Sequence, residues 1–176
     1  MRKPVLPFLA ALALILTAGL SAQSVYFGAG PTFPMGDYAD YAKTGYLGIA
    51  GVSFDVGAEN LSVFGEGFYG QNSHEFEGDK TLPYGAMGGL LYDLAPEGAG
   101  GVYFFGQVGF LVHKYDSDEL GSESETGLGF GGGAGYGFPV GDTELFVEGR
   151  FMQGNFDGGN TAFIGLIGGV SIGFGN

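Results

Sequence analysis

From Thr126 to Phe138 every odd-numbered position, Gly127 through Gly137, is glycine, while the even positions carry Leu128, Phe130, Ala134, Tyr136 and Phe138. A period of two places large side chains on one face of an extended chain and bare backbone on the other. As a helix this stretch would hold seven interior glycines, the six odd-numbered ones and Gly132. At about 0.8 to 1 kcal/mol each against alanine, roughly 6 to 7 kcal/mol would be lost. Helix is excluded, and the question becomes what a strand with one bare face packs against.

The scheme recurs along the chain. Ala162, Ile164, Leu166, Val170, Ile172 and Phe174 share one face of the last segment; Gly165, Gly169, Ser171 and Gly173 take the other, interrupted by Phe163 and Ile167. Val102, Phe104, Val108, Phe110 and Val112 form another apolar row, as do Leu145, Val147 and Phe151, and as do Val25, Phe27, Ala29 and Phe33. In Thr44 to Val56 the assignment is divided, because Leu47 and Ile49 compete with Val52 and Phe54 for the apolar face. The periodicity predicts eight strands, roughly residues 24–33, 44–56, 61–70, 82–93, 101–114, 126–138, 143–153 and 161–174. Globular strands usually have about five or six residues, whereas about nine to eleven tilted residues cross a bilayer. These are long enough to cross with ends to spare.

The connections alternate in length. Residues 57–60, 94–100 and 140–142 are the shorter ones, and residues 34–43, 71–81, 115–125 and 154–160 are mostly longer and acidic. A short repeat supports the register: Phe64-Gly65-Glu66, Phe105-Gly106-Gln107 and Phe146-Val147-Glu148 recur at a spacing of 41. In each copy the Phe and the Glu or Gln share a face opposite the aliphatic one.

Composition narrows the setting. The 176-residue chain has 38 glycines, no cysteine, no tryptophan and a formal charge of −13. Arg2 and Lys3, the apolar stretch Val5 to Leu16 and the small-residue ending Leu20-Ser21-Ala22 read as a secretory signal cut after Ala22, leaving residues 23–176 as one domain. Removing those two cations leaves Lys43, Lys80, Lys114 and Arg150 against 19 acidic residues, so the balance becomes −15. A nucleic-acid partner is excluded on charge. Without cysteine there is no disulfide framework and no thiol chemistry. After the cut no apolar run approaches the ~20 residues of a spanning helix.

Strands that cross hydrocarbon must close into a ring, because each unpaired N–H or C=O at an open edge costs several kcal/mol there. The expected fold is therefore all-β, an eight-stranded antiparallel up-and-down transmembrane barrel whose narrow lumen is filled by side chains. The glycine row lines the lumen and makes room for Phe64, Phe68, Phe105 and Phe146. Tyr46, Tyr69, Tyr84 and Phe151 toward the long connections, and Phe54, Tyr92, Phe138 and Phe174 toward the short ones, are the expected interfacial girdles. The competing fold is a secreted lipocalin-like ligand binder, but its exterior would need more lysine and glutamate than the polar face supplies.

With these features the chain resembles the small outer-membrane β-barrel proteins of Gram-negative bacteria, the group of OmpA-like transmembrane domains and OmpX. Gly169-Val170-Ser171-Ile172-Gly173-Phe174, followed by Gly175 and Asn176, looks like the terminal β-signal of that group. Gly169, Ile172 and Phe174 carry the likeness. The resemblance implies a place in the bacterial outer membrane, contact with its lipids and lipopolysaccharide, and insertion by the barrel-assembly machinery. It implies no cofactor.

Glu66, Gln107, Glu148 and Arg150 are the polar side chains expected in the lumen, and buried charge must be paired. Glu66 and Arg150 belong to strands opposite each other in an eight-membered ring. The main expectation is a structural or surface-interaction protein with a plugged lumen; the alternative is a narrow, weakly cation-preferring pore. A lipid-modifying enzyme would need a histidine, a serine and an acid within reach. His74, beside Ser73 and Glu75 in a long connection, and His113 near the end of the fifth strand come with no nucleophile motif, so they read as solvated loop or rim residues and no catalytic residue is assigned. Asp116, Asp118, Glu119, Glu123 and Glu125 lack the spacing of a calcium loop, so no metal is expected. These acidic connections are the expected surface for a partner on another cell.

Overall fold

The structure, a computed structural model, describes residues 24–75, 78–95, 100–117, 121–157 and 159–174. The expected export signal, Asp118, Glu119, Gly175 and Asn176 lie outside them. Eight antiparallel strands form one closed ring: β1 Ser24–Met35, β2 Ala42–Ala58, β3 Leu61–His74, β4 Lys80–Asp93, β5 Gly101–Ser117, β6 Gly121–Val140, β7 Thr143–Phe156 and β8 Gly159–Gly173. Closure is made by β1 against β8, with Ser24 opposite Gly173 and Met35 opposite Ala162.

The strands run further toward the long connections than the periodicity indicated. β5 and β6 remain paired up to Ser117 and Gly121, so Glu123 and Glu125 lie on a hairpin and not in a loop. β3 continues four residues past Gly70, and its even positions face inward. His74 is therefore buried, which corrects the expectation of a solvated loop histidine.

The apolar rows face outward. Leu128, Val108, Phe110, Val147 and Leu166 are more than half exposed, while the intervening positions face the lumen. Tyr69 and Tyr84 are paired on neighbouring strands at one level, and Tyr92 and Phe104 are paired at the other. Along β4, Tyr84 and Tyr92 are eight steps apart. At about 3.3 Å per residue this is about 26 Å of tilted strand, comparable with the about 25 Å apolar band of membrane barrels. Phe54 is instead buried, a departure for which strand alternation offers no account.

Inside, the bare glycines are matched to rings. Tyr26 stands opposite Gly51, Phe64 opposite Gly89, Phe105 opposite Gly133 and Phe146 opposite Gly169. At least one aromatic–glycine pair thus occurs in each of the four hairpins. The competition in β2 for the outward apolar face goes against Leu47 and Ile49, which point inward and are buried. Phe163 and Ile167, which interrupt the small face of β8, are buried for the same reason. With Phe68, Leu111 and Met152 they fill the half of the lumen nearer the long connections. At this diameter a bare inner wall would leave voids, so the apolar plug supplies the packing that glycine cannot.

Candidate functional site

Arg150 lies on the inward row of β7 and Glu66 on the inward row of β3, across the ring. Arg150 Nη1 donates to Glu66 Oε1 at 2.5 Å and Nη2 to Glu66 Oε2 at 3.3 Å, a bidentate pair. Its Nε donates to Glu148 Oε1 at 2.6 Å, and Nη2 also pairs with that carboxylate. The Tyr26 hydroxyl donates to Glu66 Oε2 at 3.2 Å, and the Tyr103 hydroxyl to Glu148 Oε2 at 2.9 Å. The guanidinium carbon stands 5.2 Å from the Phe105 ring centroid, which adds a cation–π contact.

All three charged groups are buried, with Arg150 at 3 %, Glu66 at 4 % and Glu148 at 9 % exposed. Two carboxylates around one guanidinium leave a formal charge of −1, compensated by the two tyrosine donors. A planar guanidinium serves both acids at once, which a lysine cannot do with the same geometry. Gln107, expected in this network, is buried nearby, yet among the described residues its amide oxygen and nitrogen have no hydrogen-bond partner. It shares the inward row of β5 with Phe105 but reaches none of the ions.

Below this constriction, toward the short turns, the lumen widens into a cavity of about 840 Å³ whose floor is Glu66, Glu148 and Arg150. Phe64, Phe105 and Phe146 form part of its wall; Asp93, Asp142 and Glu144 stand at the rim. Toward the long connections the apolar plug closes the passage. The sequence indicated the ions but missed the tyrosine donors, whose signal was their place on inward rows at Tyr26 and Tyr103.

Each histidine meets a threonine hydroxyl. His74 Nε2 is 2.7 Å from the Thr81 hydroxyl, and His113 Nδ1 is 2.5 Å from the Thr161 hydroxyl. Both hydroxyls belong to residues almost fully buried, at 0 and 1 % exposed, out of reach of a lipid substrate. His74 lies five residues beyond the outer tyrosine Tyr69, past the membrane-crossing stretch, and burial holds its pKa below the ordinary histidine value. Asp116 accepts from Ser122 and pairs with Lys80 and Lys114, and Glu125 accepts the Asp157 amide. No group of three or more metal-ligating residues occurs among the described residues.

In the last strand, Gly169 lies under the Phe146 ring, while Ile172 and Phe174 point outward at 41 and 60 % exposed. Ile172 is paired with both Val25 and Thr143, so it sits at the seam where β8 closes the ring.

No family model and no curated protein matches the chain. Solved structures do. Neisserial surface protein A aligns with a TM-score of 0.68 at 15 % identity, covering 89 % of this chain and 99 % of that one. Ail of Yersinia pestis, solved with the heparin analogue sucrose octasulfate, aligns at 0.60 and 15 % identity, over 86 % of this chain and all (100 %) of that one. The N-terminal barrel domain of Pseudomonas aeruginosa OprF aligns at 0.53, with 15 % identity and the same coverage of 86 and 100 %. The closed ring of eight antiparallel strands is the fold of the small bacterial outer-membrane barrels.

Proposed function

We propose that the chain resides in the bacterial outer membrane as a plugged barrel with a structural or surface-interaction role. It carries an acidic rim at the end of the long connections and presents its apolar band to lipid. The observation that carries the reading is the bidentate Arg150–Glu66 pair spanning the lumen, with an apolar plug stacked on it. A permeation path would hold water at this level, and these side chains leave the diameter filled. The rim argues about partners too. Ail was solved with a polyanion, whereas Asp37, Asp40, Glu75, Asp79, Asp116, Glu123, Glu125 and Asp157 face Lys43, Lys80 and Lys114 at this end. Such a rim disfavours polyanions and favours cationic partners, or divalent ions shared with lipopolysaccharide. Gly169, Ile172 and Phe174 are proposed to serve as the segment read by the barrel-assembly machinery.

The test is electrophoresis of outer-membrane fractions with and without boiling, together with conductance of the purified chain in planar bilayers. A heat-modifiable band with no stepwise conductance is the expected result. A soluble chain that ignores heating refutes the placement, and a steady conductance refutes the plug. The cavity below the constriction, with acids at its rim, favours the cation-preferring pore as the second reading. In that case Arg150→Ala raises conductance.

A further inference from the structure

The mouth at the long-connection end is sealed by a layer of rings that the proposed role does not use. After β1 the chain makes a single 3-10 turn, Gly36–Asp40, in which Asp37, Ala39 and Asp40 are exposed and Tyr38 is completely buried. The Tyr38 ring meets Tyr41 at 5.4 Å and His113 at 6.1 Å between centroids. Tyr41 meets His74 at 5.3 Å, His74 meets Tyr115 at 5.3 Å, and His113 meets Phe156 at 5.7 Å. Beneath them lie the fully buried Leu111, Met152 and Phe163.

Both side chains of this chain that change charge near neutral pH therefore sit in one layer, His74 at the end of β3 and His113 on β5. Each already commits one ring nitrogen to a threonine hydroxyl. A second proton on each would place an extra donor among aromatic rings and two like charges in one seal. The groups facing them offer little compensation. Toward His74 these are Asp79, Tyr41 and Tyr115; toward His113 they are Glu125 of β6, Tyr38 and Phe156. Among the described residues neither histidine makes an ion pair, because Asp79 is held by the Tyr115 hydroxyl and Glu125 by the Asp157 amide. The turn starts at Gly36, whose φ of +59° suits glycine, and nothing lies within 4 Å of where a Cβ would stand there.

We propose that this ring layer is an acid-operated latch: protonation of His74 and His113 drives Tyr38 and Tyr41 out of the mouth and opens the apolar outer half of the lumen. The Arg150 constriction below stays closed, so opening exposes a pocket and not a channel. The inference uses the proposed placement only to say which side supplies the acid. It is tested on purified protein in detergent micelles, where failure of the latch and failure of the placement are separate results.

The measurement is hydrogen exchange of amides 37–41 in the unaltered chain at about pH 7.5 and about pH 5.0, corrected for the intrinsic rate. Opening linked to protonation of the two histidines is expected to cost about tenfold in protection at the lower pH. The loss is expected to vanish in the double variant His74→Gln, His113→Gln, in which glutamine keeps a hydrogen-bonding group beside each threonine. A second readout uses Tyr38→Trp, unique in a chain without tryptophan, with acrylamide quenching rising on acidification. Constant protection in the unaltered chain, or an equal loss in the double variant, overturns the latch. Amides of β3 and β7 at Glu66 and Arg150 must stay protected throughout; simultaneous loss there would mean general unfolding and would also overturn it.

Discussion

Phe105 stands directly opposite Gly133 across the β5–β6 boundary, and its ring lies where a side chain at Gly133 would have to go, 2.8 Å from the position of a Cβ. The same relation joins Phe64 to Gly89, also at 2.8 Å, and Phe146 to Gly169. The repeat read in the sequence is thus a repeat of packing: an inward ring, a bare partner on the next strand, and a polar side chain two residues on.

This relation separates two kinds of glycine. Gly133→Val is expected to destabilise the folded barrel by about 1 to 3 kcal/mol, because neither the ring nor the neighbouring Gly149 carbonyl can give way. Gly106, which faces outward with nothing within 4 Å, is expected to accept valine with no loss, since branched residues suit strands. Urea unfolding of both variants in lipid vesicles checks the contrast. Equal effects would remove the packing argument.

Arg150→Ala leaves Glu66 and Glu148 buried without a counter-ion, and a loss of about 3 to 5 kcal/mol is expected from such a broken buried pair. Replacing all three charges, as in Arg150→Met with Glu66→Gln and Glu148→Gln, is expected to recover most of that loss. The same unfolding experiment reads it. A triple variant no better than the single one would show that the ions contribute more than mutual compensation.

Acid is expected to weaken the outer end in two stages. His74 titrates below its ordinary value because it is buried, with the Asp79 carboxylate partly offsetting this. The unfolded segment therefore binds the proton first, and stability falls as pH drops from about 6.5 through the folded value. Asp79 titrates below its ordinary value because the Tyr115 and Ser117 hydroxyls donate to it, so its contribution is present above about pH 4 and lost as pH falls through the folded value. Tyr115→Phe should abolish most of the second stage and leave the first. Carboxyl titration by NMR follows Asp79 directly, and an unchanged midpoint in Tyr115→Phe would exclude this account.

Phe174→Ala is expected to lower the fraction of chain assembled in the outer membrane while leaving the assembled barrel as stable as before. Phe174 is exposed beyond the last strand residue and fills no cavity. Heat-modifiable band intensity measures assembly, and unfolding of refolded protein measures stability. A parallel fall in both would make Phe174 a packing residue rather than part of a recognised segment.

The sequence by itself determined the number of strands and, for every strand except β2, the face turned outward, and it put Glu66 and Arg150 on inward rows of opposite strands. Alternation has a period of two, and when consecutive strands pair in chain order only the pairing of β1 with β8 leaves no edge. It did not determine how far the strands extend, since hydrogen bonding carries β5 and β6 through an acidic, weakly apolar stretch that alternation cannot mark. The places of Leu47, Ile49, Phe163 and Ile167 were equally hidden, because an inward hydrophobe and an outward one look alike until the ring's diameter shows which space needs filling. The two histidines came together only through tertiary structure. They lie 39 residues apart, on strands that are not neighbours, and a third part of the chain sets Tyr38 of the 3-10 turn against His113 and Tyr41 against His74.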